Sequence, residues 1–325
     1  MNTLQDRDCP ICGSSEKKLY ISSGFAADQS ADDFAYYQNL WYGLDKSIHF
    51  LSYHNCLNCN AVYCPRYFTE ESLNELYKSM PTNMELIADH LIQKTQARYA
   101  LSLLKSIEKW YLTKTSQKFT ILELGSDTGH FLVELINLLQ KKFDVDAKEI
   151  TIVSIEPNVA VHATLKNNLE KLGVNFEVYA TFEQYENFSN SPSIDIIVAI
   201  HVFDHLLNPK QILKEISKHC SGEFFVYGVV HNLKSILRNL MGRRWPPFCF
   251  QHPQLYSKQS LPQLFTHSFK VESLSISPTF NDYPLSVITS FLKLDFLTKL
   301  VKFIYLTIPL GNIQFICKGY KNIEN

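Results

Sequence analysis

The chain has 325 residues, 46% of them hydrophobic, and a formal net charge of −1. Its length suits two domains better than one and allows a large buried core. A charge so near zero gives no electrostatic case for a nucleic-acid partner or an anionic membrane surface.

The opening stretch, Met1 to Asp8, is polar and charged. No signal peptide is visible in it, and a cytoplasmic protein is expected. Four of the eight cysteines fall in two C-x-x-C knuckles, Cys9-Pro-Ile-Cys12 and Cys56-Leu-Asn-Cys59. Without a leader, paired knuckles favour a metal over disulfides. Gly13 lets the first loop fold back, and Asn60 is expected to take the left-handed conformation after the second. Four thiolates from Cys9, Cys12, Cys56 and Cys59 would complete a closed tetrahedral site for Zn(2+). More than forty residues separate the knuckles, which is tolerable because loop-closure cost grows slowly with length. Cys64 and His54 rank below these four as ligands. The insertion carries Phe25, Phe34, Tyr36, Tyr37, Trp41 and Tyr42. Such a cluster reads as the core of a small metal-stapled module in preference to the cover of a cleft. The zinc-binding module is placed at residues 1–69.

Thr69 before Glu70 and Glu71 marks a helix start. Apolar residues from Leu86 to Trp110 recur at helical spacing, which predicts one long helix or two. Residues 70–115 are read as a helical linker. Residues 116–325 then alternate strands and helices.

That alternation opens on Phe119-Thr-Ile-Leu-Glu-Leu-Gly-Ser-Asp-Thr-Gly-His-Phe131. A short apolar strand ends near Glu123, a tight turn holds Gly125 and Gly129, and a helix follows. Strand, glycine turn, helix is how an open α/β sheet opens a nucleotide site. A dinucleotide fingerprint needs G-x-G-x-x-G, but Asp127 stands at the second glycine and no third glycine follows. A carboxylate there opposes a pyrophosphate and tolerates a cationic ligand without phosphate.

At these residues the chain resembles the class I S-adenosylmethionine-dependent methyltransferases, whose first motif is E/D-x-G-x-G-x-G. Glu123, Gly125 and Gly129 match it, and Asp127 departs from it. The resemblance implies a Rossmann-like α/β fold, a seven-stranded and mostly parallel sheet, behind the zinc module. It implies S-adenosylmethionine as cofactor, with Glu123, Gly125, Ser126, Asp127 and Gly129 lining it. Pro65, Arg66, Thr69, Glu70, Glu71, Leu73 and Tyr77 further resemble a segment that follows the zinc ribbon in methyltransferases of polysaccharide and sugar modification. The acceptor implied is a small molecule, a sugar or sugar nucleotide.

Ile150 to Pro157 reads as the second strand, ending in Glu156. A carboxylate only accepts hydrogen bonds, which suits the two ribose hydroxyls. After the third strand, Val174 to Tyr179, the resemblance makes Phe182 the candidate to meet adenine. Ser193 to Ile200 is the fourth strand. The loop beyond it, His201-Val-Phe-Asp-His-Leu-Leu-Asn-Pro209, matches the family's His-x-x-acid-His-x-x-x-Pro run. A loop at the carboxyl end of a central strand is where such a sheet places its chemistry. His201 and His205 are candidate bases there, and His201 also lines the cofactor pocket. His231 lies near the end of the fifth strand, Gly222 to Val230, and His252 follows Arg243-Arg244-Trp245; both are further base candidates. The two arginines and Trp245 make a cationic, aromatic surface suited to a phosphorylated or carboxylated sugar. Phe269 to Leu274 and Ile313 to Tyr320 read as the last two strands, the later one reversed. The apolar stretch Phe296 to Leu310 holds Lys299 and Lys302 and ends at a proline; it is read as a packed helix, and no membrane span is expected. Two alternatives compete with methyl transfer: an NAD(P)-dependent oxidoreductase, for which Asp127 is wrong, and a non-catalytic binding protein on the same scaffold.

Overall fold

The computed structural model describes residues 3–23, 34–41, 49–78, 89–114, 116, 118–186, 192–285, 301, 304–309 and 311–321. Phe25, Tyr42 and most of the Phe296 to Leu310 stretch lie outside the described residues.

The N-terminal part is built from β1 (Leu4–Asp6), β2 (Lys17–Ile21), α1 (Phe34–Leu40), β3 (Tyr53–Cys56), β4 (Val62–Tyr63) and β5 (Arg66–Phe68). Next comes α2 (Glu70–Lys78), started as expected by Thr69, whose Oγ1 accepts the Ser72 N–H at 3.2 Å. The connector is the single long helix α3 (Asp89–Thr113). Its buried residues Ala100, Leu103, Leu104, Ile107 and Tyr111 fall on one stripe, as a helix laid against a core requires.

The C-terminal half runs β6 (Phe119–Leu124), α4 (His130–Phe143), β7 (Ile150–Ile155), α5 (His162–Glu170), β8 (Asn175–Tyr179), α6 (Phe182–Glu186) and β9 (Ile194–Ile200). It continues through α7 (Pro209–Lys218), β10 (Cys220–His231), α8 (Ile236–Met241), β11 (Gln254–Leu255), α9 (Leu261–Thr266), β12 (Lys270–Pro278), β13 (Asn281–Pro284), β14 (Tyr305–Ile308) and β15 (Asn312–Tyr320). Seven strands form the central sheet in the order β12-β15-β10-β9-β6-β7-β8. The pairs from β10 through β8 are parallel, and β15 runs antiparallel between β10 and β12. All six residues of β6 are buried, as a central parallel strand covered on both faces must be. Leu122 and Leu124 enter one core, and Ile121 enters the other beneath α3 and α4. The chain moves outward from β6 to β7 and β8, then crosses back to β9 on the other side of β6. That reversal opens a crevice at the carboxyl end of β6.

The stretch read as a packed helix near residue 300 is corrected in part. Tyr305–Ile308 is a strand paired antiparallel with β13. Asp282 in β13 accepts from both terminal NH2 groups of the Arg98 guanidinium in α3 and from the Thr307 hydroxyl, so hydrogen bonding anchors the strand pair.

The two halves are interleaved. β11 completes the N-terminal sheet by pairing with β4. Tyr37 and Trp41 share a core with Trp245, Phe248 and Phe250, so these aromatics are core residues as expected. The Tyr53 hydroxyl donates to the His252 carbonyl at 2.7 Å, and Gln251 Nε2 donates to the Trp41 carbonyl at 2.7 Å.

Candidate active site

The turn after β6 is shaped by three left-handed residues: Gly125 at φ 67°, Asp127 at 46° and Gly129 at 82°. A Cβ on Gly125 would lie 2.6 Å from Val202 Cγ2, and one on Gly129 would lie 2.7 Å from Leu165 Cδ1. The left-handed backbone favours glycine at both positions, and a Cβ at either would also force a neighbouring side chain to shift. Asp127 adopts the conformation a glycine would, which aspartate tolerates better than most residues. The departure from the motif leaves the loop intact.

Glu156 stands beneath this turn, 7% exposed. Its Oε2 accepts the Asp127 N–H at 2.7 Å, and its Oε1 accepts the Asn158 N–H at 2.8 Å. Each carboxylate oxygen has a second lone pair left to accept from a ligand. Glu123, at the tip of the neighbouring strand, is 3% exposed, and burial raises its pKa well above the usual carboxyl range. Burial also raises Glu156 and Asp127, against the backbone N–H groups that favour their ionised forms. Ser126 Oγ meets Ser154 Oγ and closes the floor. Glu123 Oε2, Asp127 Oδ1, Thr128 Oγ1 and His201 Nδ1 are buried with no hydrogen-bond partner. Buried polar atoms are normally paired, so a group of orphans along one crest fits a site made for a polar ligand. The acceptors among them suit a cationic ammonium and a ribose diol.

Four histidines collect on the far side of the crest. The ring centroids are 4.8 Å apart for His201 and His231, 4.9 Å for His231 and His252, and 4.5 Å for His252 and His205. Burial holds each imidazole below its ordinary value: His201 at about 3, His231 and His252 at about 4, His205 well below normal. All four rings are neutral at pH 7, and the hydrogen bonds then assign their protons. His252 Nδ1 lies 2.7 Å from the Pro247 carbonyl, which only accepts, so Nδ1 carries the proton. Its Nε2 accepts from His205 Nε2 at 3.2 Å, and His205 Nδ1 accepts the Tyr77 hydroxyl at 3.1 Å. His205 and His252 thus have both ring nitrogens committed. His201 Nε2 faces the Asn312 amide at 3.4 Å.

His231 differs. Its Nδ1 and its backbone N–H both meet Asp204 Oδ2, at 2.5 and 2.9 Å. Asp204 is fully buried, and burial raises its carboxyl to about 6. With Nδ1–H fixed on the carboxylate, Nε2 is an unprotonated acceptor. Among the described residues no hydrogen bond engages it, and the side chain is 21% exposed.

The four knuckle cysteines also meet. Their Sγ atoms all lie within 4.8 Å of one another, and none is in a disulfide. Gly13 N–H bonds to the Cys9 carbonyl at 2.8 Å and Asn60 N–H to the Cys56 carbonyl at 3.1 Å, with Gly13 at φ 77° and Asn60 at 59°. The thiol hydrogen bond from Cys59 pulls Cys9 down to about 5, while the donor Cys59 moves upward. Thiolate character is what a metal ligand needs. Cys64 stands apart, with its Sγ on the Leu51 carbonyl.

Phe182 is 8% exposed, tilted against Tyr185 and edge-on to His219, so it contributes to the core. His205 and His252 have no nitrogen to offer an acceptor. Arg243 donates to the Ser22 and Ser23 carbonyls and lies over Phe50, while Trp245 is 1% exposed, so both are engaged with the protein itself. Two residues were missed as site members. Asp204 is the acid of the His-x-x-acid-His run, and a carboxylate amid Val202, Phe203 and Leu206 could have been flagged. Tyr77 was matched only to the segment after the knuckles, with no sign that it would reach His205.

Fold and site together define a Rossmann-like α/β protein with a crevice at the carboxyl end of a mostly parallel sheet. A family model described as a methyltransferase domain matches residues 91–272, more than half of the chain. The chain belongs to this methyltransferase family and is an S-adenosylmethionine-dependent enzyme, which displaces the oxidoreductase and non-catalytic alternatives. A search of curated proteins finds no match. Among solved structures, the plantazolicin methyltransferase BpumL in complex with SAH is 17% identical, covering 76% of this chain and 94% of that one at a TM-score of 0.48. Coclaurine N-methyltransferase bound to N-methylheliamine and SAH is 13% identical, covering 76% and 85% at 0.45. A putative methyltransferase from Bacillus halodurans C-125 is 13% identical, covering 68% and 99% at 0.43. Among the described residues no helix is long and apolar enough to cross a membrane.

Proposed function

We propose that the enzyme transfers a methyl group to a sugar or sugar nucleotide, with His231 as the base. Bound S-adenosylmethionine supplies a methyl on a sulfonium, already electrophilic. The residues of the chain hold donor and acceptor in line and remove the acceptor's proton. Gly125, Ser126, Asp127 and Gly129 admit the donor, Glu123 faces its ammonium end, and Glu156 accepts from the ribose hydroxyls. His231 Nε2 takes the proton, and Asp204 fixes the tautomer and steadies the imidazolium that forms. His201 lines the same pocket. His205 and His252 position the cluster through Tyr77 and Pro247.

The observation that carries this reading is the pair of buried carboxyls, Glu123 and Glu156, at the tips of adjacent strands around one glycine turn. Acceptor-only groups there suit an ammonium and a diol and oppose a pyrophosphate. Calorimetry with S-adenosylhomocysteine and NAD tests it: the former should bind one per chain and NAD should not. Binding of NAD alone would overturn the assignment.

Zinc at Cys9, Cys12, Cys56 and Cys59 would be structural, a closed four-thiolate site with no open position for chemistry. Reduced, clustered thiols fit a reducing compartment such as the cytoplasm. The chain works as a metal module (1–69), a helical connector (70–115) and a methyltransferase domain (116–325), with the 245–255 segment of the last lent to the first.

A further inference from the structure

Beyond the histidines the crest opens into a cavity of about 300 Å³. Lys234, Lys258, Asn232, Ser235, Gln259 and Asn312 supply its polar lining. It adjoins the reaction centre on two sides. Asn232 directly follows His231, and the Asn312 amide is 3.4 Å from His201 Nε2. The walls are tied to each other by backbone. Asn232 N–H donates to the Gly311 carbonyl at 2.9 Å and Leu233 N–H to the Tyr256 carbonyl at 2.8 Å. The Asn232 side chain accepts the Lys234 N–H at 3.0 Å. The segments bearing the two lysines therefore share one frame with the sheet.

The charge in this cavity is one-sided. Among the described residues no acidic side chain lines it. Among the described residues no carboxylate forms an ion pair with Lys234 or Lys258. Amide and hydroxyl donors stand beside both cations, the combination that binds oxyanions through charge-assisted hydrogen bonds. A concave wall of one sign also concentrates its counter-ion.

We propose that Lys234 and Lys258 anchor an anionic group of the methyl acceptor, a phosphate or a carboxylate, in this cavity. The inference rests on the methyl-transfer reading and narrows its acceptor to anionic derivatives. It moves the cationic contact from Arg243, which is spent on the module, to the two lysines beside the base.

Calorimetry on the full chain, with and without S-adenosylhomocysteine, tests this with three probes: pyrophosphate, glucuronate and neutral methyl glucoside. At least one anion should bind more tightly than the neutral glycoside and weaken as salt is raised. Whichever anion prevails identifies phosphate or carboxylate as the source. The Lys234→Ala/Lys258→Ala double variant should bind that anion at least tenfold more weakly, with S-adenosylhomocysteine affinity within twofold of wild type. Both lysines are exposed, so the fold should survive, and Lys→Arg at both should restore most of the binding. The proposal is overturned if neither anion outbinds the neutral glycoside, or if the alanine variant binds anion like wild type. Loss of S-adenosylhomocysteine binding with anion binding intact would instead sink the methyl-transfer reading and leave the anion site standing.

Discussion

The metal module and the crest of the sheet solve the same problem, converging polar groups, in opposite ways. In the module the groups are alike, four thiols on two short knuckles, and each knuckle makes its own turn. At the crest the groups are unlike, and each is defined by a partner from a distant segment. Glu156 is held by Asp127, His231 by Asp204, and His205 by Tyr77. The first site is shaped by local turns; the second needs the fold to assign its protons. The two are also joined, because His252 and Tyr77 sit on segments packed into the module core.

The largest effect should come from the metal. Chelation, or Cys56→Ser, should take zinc from about one per chain to near zero by elemental analysis. It should remove folding free energy on the order of 10 kcal/mol from the module, seen as a separate low-temperature unfolding step. Cys64→Ser should leave the zinc content unchanged. If His252 is positioned by the module, methyl transfer should fall with the metal while S-adenosylhomocysteine still binds the turn.

Next in size is the base. His231→Gln should lower kcat about 10²–10⁴-fold, with S-adenosylhomocysteine affinity within twofold. His205→Gln should cost less than tenfold, since both nitrogens of that ring are already engaged. A larger loss at His205 than at His231 would reverse the assignment of roles. Glu156→Gln should then weaken S-adenosylhomocysteine by about 1.5–3 kcal/mol, the range for hydrogen bonds to a charged group, measured by calorimetry.

The smallest effect is in pH. Burial depresses His231 to about 4, so its neutral, basic form persists as pH falls through 6.5. The acid limb of kcat/KM should lie below the ordinary histidine value. Stability carries the same signature. Between pH 6.5 and about 4 the unfolded chain protonates His252 and the native chain does not, so this group costs stability as pH falls. Asp204, raised to about 6, has the opposite sign and favours the native state on acidification. Chemical denaturation of His252→Gln should therefore show a shallower acid loss than wild type, by up to about 1.4 kcal/mol per pH unit.

Much of the frame was legible in the residues. Alternating apolar strands and helices placed every strand of the central sheet, including the reversed β15, to within a few residues. Thr69, Gly13 and Asn60 announced a helix start and two knuckle turns because each satisfies a local backbone demand. The role of Phe182 was not legible, because an aromatic at a loop looks the same whether it meets a ligand or the core. Tyr305–Ile308 was misread because a short apolar run fits helix and strand alike.

Spacing along the chain was enough to locate the thiols, the glycine turn and the acids at the strand tips, since those features depend on neighbours a few residues away. Which imidazole is free to take a proton could not be read that way. Pro247, Asp204, Tyr77 and Asn312 set the tautomers from four separate segments, and a hydrogen bond has a direction that exists only once its two ends have been brought together.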